Sequence, residues 1–176
     1  MDVTWLPFEL HPEIPAGGMP APEYVRRAAA SEAGARLRQM AAAGGREIVL
    51  NTEWTPNSRR ALEASEFARE QGRHEAFHRA VFHRFYGQGK DLEEWQVLRD
   101  AAHEVGLDAD ALQAATESGR YRRAVDEQIR NAHSLGISGV PAYILGDRYL
   151  IMGAQPYDVF RQVMAELGAT PREAAA

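Results

Sequence analysis

Apolar positions along this chain change their spacing twice. Between residues 56 and 135 they recur every three or four positions, which predicts amphipathic helices. Val3, Trp5 and Phe8 form a shorter apolar run, broken by Pro7, that predicts a strand beginning almost at residue 1. Two compact runs of β-branched and aromatic residues follow the helical stretch. The pattern therefore predicts a protein of helices and strands with a helical middle section.

The segment before this helical section is rich in proline, glycine and alanine. Residues 11–22 predict a loop, because proline and glycine interrupt every apolar pattern there. Residues 22–45 predict one helix or a broken pair of helices, closed by Gly44 and Gly45. A short extended piece is predicted at residues 48–50.

Capping residues divide the helical section into separate helices. Thr55 or Asn57 is suited to begin the first helix and Gly72 to end it, while Asp91 and Asp108 are suited to begin later ones. The apolar side chains predicted to face inward are Leu62, Phe67, Phe77, Val81, Phe85, Leu92, Trp95, Leu98, Val105, Tyr121, Val125, Ile129 and Leu135.

The apolar spacing after residue 135 is that of strands. The runs AYILG and RYLIMG predict a β-hairpin around Gly146 and Asp147, a favourable pair for a two-residue turn. A last helix follows, with Pro156 near its first position. Its predicted inward residues are Phe160, Val163, Met164 and Leu167. Residues 171–176 predict a frayed tail.

Composition narrows the possible functions. The 176 residues, 45% of them hydrophobic, are enough for one substantial core. The net charge of −5, without any run of basic residues, argues against nucleic acid and anionic membranes as partners. No apolar stretch is long enough for a membrane span and the first residues do not resemble a signal peptide, so we expect a cytoplasmic protein.

The chain contains no cysteine, which removes disulfides, thiolate nucleophiles and cysteine metal ligands. Its serines lack the G-x-S-x-G context, and no glycine-rich loop with lysine follows a predicted strand. Serine-hydrolase and nucleotide-binding functions therefore have no support.

The string HEAFH at residues 74–78 matches the H-E-x-x-H pattern of zinc proteases, in which two histidines bind the metal and the glutamate activates water. Both histidines, however, fall within the helical arc of the apolar residues Phe77, Val81, Phe82 and Phe85. We therefore favour half-buried, packed histidines over zinc ligands.

A zinc site would also need a third ligand. His83 lies about 140° around the helix from His78, so it cannot join the same metal. Glu93, Glu94 or Glu104 from the next helix could in principle supply that ligand. A zinc hydrolase is thus kept as an alternative, although we expect no metal.

Four stretches of the chain carry a family resemblance. They are WLPFELHPEIP at 5–15, PNSRRALEASEFAREQG at 56–72, EAFHRAVFHRFYGQGKDL at 75–92 and GISGVPAYILGDRYLIMGAQPYDVF at 136–160. Together they resemble the DsbA family of the thioredoxin superfamily, most closely its FrnE-like branch, which is related to 2-hydroxychromene-2-carboxylate isomerases.

The resemblance implies an α/β, thioredoxin-like fold with an inserted all-helical lobe. A partial thioredoxin-like core would occupy residues 1–55, the helical insertion 56–135 and the rest of the core 136–170. The chain departs from the family at its start, where the first strand and the active-site helix with Cys-x-x-Cys, or serine in the isomerase branch, have no counterpart. We therefore expect no catalytic residue, and we expect that a segment once preceded Met1.

By the same resemblance, Val140 and Pro141 are the family's cis-proline pair. Gly139, Val140 and Pro141 would form the substrate-binding loop, where the residue before the proline offers its backbone to an extended peptide or a thiol. Proline lowers the cost of a cis bond to about 0.5–1 kcal/mol. An ordinary trans proline at the start of an edge strand is the alternative.

A missing first strand would leave unpaired strand edges. This predicts a homodimer or larger assembly, with its contact near residues 1–10. No cofactor is expected.

Four functions follow as hypotheses. The first is a FrnE-like relative of thiol–disulfide oxidoreductases that, without sulfur, cannot itself exchange disulfides. The second is a non-catalytic protein that grips extended peptide at Val140 and Pro141. The third, a relative of glutathione-dependent isomerases, is disfavoured because GAQP replaces the W-G-Q-D-R-type ending of that branch. The fourth is the zinc hydrolase.

Overall fold

A computed structural model of the chain describes residues 2–170. The chain divides into two compact units, Met1–Ile129 and Arg130–Ala176. Helices predominate in the first unit, and the second contains a β-hairpin and a helix. The tail predicted at 171–176 lies outside the described residues.

The first unit combines a small antiparallel sheet with most of the helices. β1 (Met19–Pro20) pairs with β2 (Trp54–Thr55), with Met19 opposite Thr55. The helices are α1 (Glu23–Ala30), α2 (Glu32–Ala43), α3 (Arg59–Glu70), α4 (His74–Phe82), α5 (Trp95–Glu104), α6 (Ala109–Glu117) and the first part of α7 (Arg122–Ser134). A π-helix, His83–Gly87, continues α4.

The core of this unit lies between α3, α4, α5 and α6. Phe77, Leu98 and Leu112 are completely buried in it, and the spacing of Phe77 and Leu98 predicts this for those two. Ala64 and Ala68 of α3 are also fully buried, and their small side chains let neighbouring helices approach closely. Each large apolar side chain buried in this way stabilises the fold by about 1.5–3 kcal/mol.

Several helix ends follow from capping residues visible in the sequence. The stretch 22–45 is a broken pair of helices, because the Ser31 hydroxyl accepts a hydrogen bond from the Gly34 N–H and starts a second helix. Gly44 ends that helix. The Asp108 carboxylate accepts hydrogen bonds from two backbone N–H groups at the start of α6, as predicted.

Other helix starts differ from the prediction by a few residues. Ser58, and neither Thr55 nor Asn57, occupies the N-cap position of α3. The Asn57 side chain still contributes, since its Oδ1 accepts a hydrogen bond from the Arg59 N–H at 2.7 Å. Asp91 caps a turn that precedes α5 and does not cap the helix itself.

The strand predicted at the start of the chain is wrong. Residues 2–9 adopt no regular secondary structure. Pro7 has no N–H to donate to a ladder, and the Trp5 carbonyl accepts a hydrogen bond from the Arg69 guanidinium of α3. Glu9 forms an ion pair with Arg59 at 3.3 Å. Contacts to α3 therefore fix this segment, and strand pairing does not.

The extended piece predicted at residues 48–50 is not a strand either. The Val49 N–H donates a hydrogen bond to the Tyr86 carbonyl at 2.6 Å. A turn follows, in which Asn51 Oδ1 accepts hydrogen bonds from the N–H groups of Glu53 and Trp54, each at 2.9 Å. The strand that pairs with β1 begins only at Trp54, after this turn.

The second unit contains the predicted hairpin and last helix. β3 (Ala142–Leu145) pairs antiparallel with β4 (Tyr149–Met152), and α8 (Tyr157–Glu166) follows. The connection has three residues instead of the predicted two, since Leu145 lies opposite Tyr149. Gly146 and Asp147 both have positive φ, at 58° and 54°, a conformation that glycine adopts freely and aspartate tolerates.

One face of the hairpin packs against α8 and the residues after it. The Tyr143 ring meets the Phe160 ring edge-on, with centroids 4.8 Å apart. Ile151 is buried. A side chain at Gly146 would come within 2.9 Å of Leu167. Over residues 2–170 no helix is long and apolar enough to cross a lipid bilayer.

Candidate functional site

The loop that holds the predicted substrate-binding residues begins where α7 ends. Gly136, with a φ of 78°, donates its N–H to the His133 carbonyl, and Ile137 donates to the Ala132 carbonyl. This pair of hydrogen bonds is a Schellman motif, which stops a helix at a residue with positive φ. Ile137 is buried and anchors the loop. Leu135, predicted to face inward, is instead 56% exposed at this helix end.

Gly139, Val140 and Pro141 follow at the surface of the loop. Val140 is 51% exposed, and the peptide bond between Val140 and Pro141 is cis. The Pro141 carbonyl accepts a hydrogen bond from the Gly153 N–H at 2.8 Å, which ties the loop to the end of β4. Within residues 2–170 the backbone N–H and C=O of Val140 have no hydrogen-bond partner. The loop thus leaves one donor and one acceptor available beside an apolar side chain.

The hairpin next to this loop presents an apolar face to solvent. Ile144 lies opposite Leu150, and Ala142 lies opposite Met152, so the four side chains share one face of the sheet. Ile144 is 43% exposed, Leu150 42% and Met152 36%. Large aliphatic side chains grouped on an exposed face mark an interaction surface more often than isolated ones do.

The histidines of the HEAFH string are half-buried, as predicted from their place in the apolar arc. The His78 ring lies between the rings of Trp5 and Phe82, with centroid distances of 4.4 and 4.2 Å. The Nε2 atom of His74 lies 3.0 Å from the Arg69 guanidinium, a hydrogen-bond donor. Burial lowers the pKa of both histidines, that of His78 to about 4, and the Arg69 charge adds to the effect at His74.

These contacts do not suit zinc binding. A metal at His74 Nε2 would have to displace the cationic Arg69. Two of the carboxylates considered as third ligands are engaged elsewhere: Glu104 pairs with Arg84 at 2.8 Å and Glu93 with Arg60 at 3.3 Å. The part of the chain that the structure describes contains no group of three or more histidine and acidic side chains placed to hold a metal ion.

A row of four aromatic rings, three of them exposed, was not predicted. It consists of Trp5, His78, Phe82 and Tyr86, and we call it the aromatic row. The Phe82 and Tyr86 ring centroids are 5.5 Å apart with tilted planes, which extends the row of ring contacts that Trp5 and His78 begin. Phe82 is 49% exposed, although the sequence placed it in the inward arc. The four-residue spacing of His78, Phe82 and Tyr86 indicates that the three rings share one helix face. Spacing alone does not indicate whether other elements bury that face or leave it exposed.

Comparison with known proteins connects this architecture to a family. The family model of the DSBA-like thioredoxin domain matches residues 1–165. The crystal structure of the probable DsbA oxidoreductase SCO1869 from Streptomyces coelicolor is similar, with a TM-score of 0.78 and 27% sequence identity over 96% of this chain and 76% of that one.

Two curated relatives extend the comparison. The uncharacterized protein YwbO of Bacillus subtilis (strain 168) is 27% identical over 172 residues, which cover 94% of this chain and 82% of that protein. The 2-hydroxychromene-2-carboxylate isomerase of Sphingobium xenophagum is 37% identical over 89 residues, which cover 48% of this chain and 44% of the isomerase. The family model covers nearly the whole length of this chain, and the similar crystal structure shares its thioredoxin-like α/β fold with a helical insert. The chain therefore belongs to the family of DSBA-like thioredoxin domains.

Proposed function

We propose that this chain binds extended polypeptide, including segments that carry a thiol, at Gly139, Val140 and Pro141, as a member of the FrnE-like branch of its family. The observation that carries the proposal is that Val140 is 51% exposed and that its backbone N–H and C=O find no partner within residues 2–170. The resemblance to the FrnE-like branch also implies a cytoplasmic location.

The binding mode follows from backbone chemistry. A peptide running past the loop would accept a hydrogen bond from the Val140 N–H and donate one to the Val140 carbonyl, as in the addition of a β-strand. Alternate side chains of the peptide would then contact the apolar face formed by Ile144, Leu150 and Met152. Each hydrogen bond would contribute about 0.5–1.5 kcal/mol, so side-chain contacts are needed for useful affinity.

Thiol–disulfide exchange is not part of this proposal. The reaction requires a thiolate that attacks a disulfide sulfur. None of the 176 residues is a cysteine, so none of them can supply that thiolate. We therefore assign binding, and no redox step, to these residues.

Glutathione is a second candidate ligand. It follows from the resemblance to glutathione-dependent isomerases, and the 2-hydroxychromene-2-carboxylate isomerase of Sphingobium xenophagum is 37% identical over 89 residues. Because glutathione is itself a short thiol-bearing peptide, it would use the same backbone groups of Val140. Measuring the binding of each ligand alone separates the candidates.

Fluorescence anisotropy of a labelled peptide in which valine alternates with serine tests the proposal. Val140→Pro removes the N–H donor, while Val140→Ala keeps it and serves as the matched control. We expect Val140→Pro to weaken binding by about tenfold, the equivalent of one lost hydrogen bond, and Val140→Ala to change it much less. Circular dichroism would verify that both variants fold.

Equal affinity of all three proteins, or no binding of the peptide at any concentration, would contradict the proposed site. If the unmodified chain binds glutathione but does not bind the valine–serine peptide, the second candidate is favoured.

A further inference from the structure

The hairpin of the second unit has two outer edges, because its sheet contains only β3 and β4 in the described part of the chain. In an antiparallel pair, residues whose N–H and C=O face the partner strand alternate with residues whose groups face away. The Gly153 N–H donates to the Pro141 carbonyl, so that carbonyl faces β4. Two residues farther along, Tyr143 faces β4 in the same way. The N–H and C=O groups of Ala142 and Ile144 therefore point away from β4.

The outer edge of β3 is open. Within residues 2–170 the backbone N–H and C=O of Ala142 and Ile144 have no hydrogen-bond partner, as is also the case for Val140. Donor and acceptor groups are thus free at three alternate residues, the spacing at which a strand offers hydrogen bonds to a neighbour. Pro141, which has no N–H, does not interrupt this series, because it is one of the residues that face β4.

The outer edge of β4 is better protected than that of β3. The Met152 carbonyl, which points away from β3 by the same alternation, accepts a hydrogen bond from the Gln155 side chain at 2.9 Å. Natural proteins usually protect an exposed edge with charged side chains, proline or a bulge. The strand β3 has none of these, since residues Ala142–Leu145 are uncharged, include no proline and pair one for one with β4.

We propose that the edge of β3 accepts an extended polypeptide as a third strand, which pairs with Ile144 and Ala142 and continues to Val140. The inference rests on the proposed function, because this strand is the peptide bound at Val140. Bound in this way, the peptide would satisfy backbone groups of three residues instead of one. Its side chains on the face shared with Ile144 would lie about 5 Å from that residue, the ordinary distance between neighbouring strands.

A short extended polypeptide fits this edge better than a second copy of the chain does. A stable contact between two folded proteins involves about 20–30 residues a side. Because β3 has four residues, the pairing of two β3 strands would supply only a small part of such a contact. A short peptide needs only the strand edge and the apolar side chains beside it.

Amide hydrogen exchange followed by NMR tests the proposal, with and without the valine–serine peptide at about ten times its dissociation constant. An amide on an open edge exchanges rapidly, whereas one that is hydrogen-bonded to a bound strand exchanges only while the strand is absent. About one chain in eleven is then unoccupied, so we expect exchange at Ala142 and Ile144 to slow about tenfold. The Tyr143 amide is the internal control, because it faces β4 and should be unaffected.

A pair of variants tests one of the new hydrogen bonds. Ile144→Pro removes the outward N–H but no bond to β4, and proline is tolerated at such an edge position. Ile144→Ala shortens the side chain but keeps the N–H, so it is the matched control. We expect Ile144→Pro to bind the peptide about tenfold more weakly than Ile144→Ala does. If circular dichroism shows that Ile144→Pro does not fold, the exchange measurement on the unmodified chain decides the question.

The exchange pattern separates this inference from the proposed function. Slowing at Val140 alone would overturn the third strand and leave the binding loop in place. Slowing at Ala142 and Ile144 alone would support the third strand and contradict the loop. A bound peptide that slows none of the three amides, or the absence of binding, would contradict both. Slowing at Ala142 and Ile144 without peptide, as the protein concentration rises, would assign the edge to a second copy and overturn the inference.

Discussion

The Trp5 indole lies on the His78 imidazole, with ring centroids 4.4 Å apart and ring planes inclined by 24°. The Trp5 carbonyl accepts a hydrogen bond from Arg69, and Arg69 also faces the Nε2 atom of His74. One tryptophan therefore connects the N-terminal segment to α3 and α4 through its ring and its backbone. The family resemblance does not by itself predict this connection.

Truncating Trp5 should destabilise the first unit moderately. Trp5→Ala removes the stack on His78 and partly buried ring surface, for an expected loss of about 1–2 kcal/mol in the free energy of unfolding. Trp5→Phe keeps a stacking ring and should lose less. Urea unfolding followed by circular dichroism measures both. If Trp5→Ala unfolds at the same urea concentration as the unmodified chain, the ring contact is not stabilising.

Stability should fall as the pH drops from about 6.5 toward 4. Burial lowers the folded-state pKa of His78 to about 4 and also lowers that of His74, while the ordinary value is 6.5. Between these values the unfolded chain binds more protons than the folded one, so folding is favoured at the higher pH. The contribution of both histidines is therefore complete above pH 6.5 and is lost progressively below it.

Urea midpoints measured across this pH interval test the effect. His78→Gln, which cannot be protonated, should have a shallower dependence on pH than the unmodified chain. His103→Gln is a control for histidine removal, because His103 is exposed and belongs to neither ring contact. A midpoint that stays constant from neutral pH down to pH 5 would show that His74 and His78 are freely solvated.

The sequence predicted those elements whose signals are local. The hairpin around Gly146 and the helix start at Asp108 depend on a few neighbouring residues, and the structure confirms both. The pairing of Met19 with Thr55 joins residues far apart in the chain, and no local pattern indicates it. The hydrogen bond from Arg69 to the Trp5 carbonyl also joins residues far apart in the chain, so no local pattern indicates it.

Burial was predictable only as a tendency. Phe77 and Phe82 are both aromatic and lie in the same predicted arc, yet Phe77 is fully buried and Phe82 is half exposed. Apolar spacing identifies the helix face that tends to be buried. Which residues of that face are in fact buried depends on how the other elements pack against each turn. At the site, Gly139, Val140 and Pro141 were named by resemblance alone, since no chemistry in their side chains distinguishes them.

Removing Arg59 should be costly. Its guanidinium contacts three carboxylates, those of Glu63 at 2.7 Å, Asp126 at 2.6 Å and Glu9 at 3.3 Å. The Glu63 side chain is only 6% exposed, so Arg59→Met would leave a buried carboxylate without its counterion. Breaking a buried pair in this way costs about 3–5 kcal/mol.

A surface pair provides the comparison for Arg59. Arg123 contacts Glu127 at 2.7 Å but is 87% exposed, so Arg123→Met should cost less than about 1 kcal/mol. Adding Glu63→Gln to Arg59→Met should restore part of the loss, because the buried charge is then absent. Similar losses for Arg59→Met and Arg123→Met in urea unfolding would contradict this account of the ion-pair network.

Amide chemical shifts in ¹H–¹⁵N NMR spectra, recorded while the valine–serine peptide is added, test the proposed binding loop most directly. We predict that the largest changes occur at Val140 and in β3 and β4, and that glutathione causes smaller ones. Changes confined to residues of the first unit, with the Val140 amide unmoved at saturation, would contradict the proposed function.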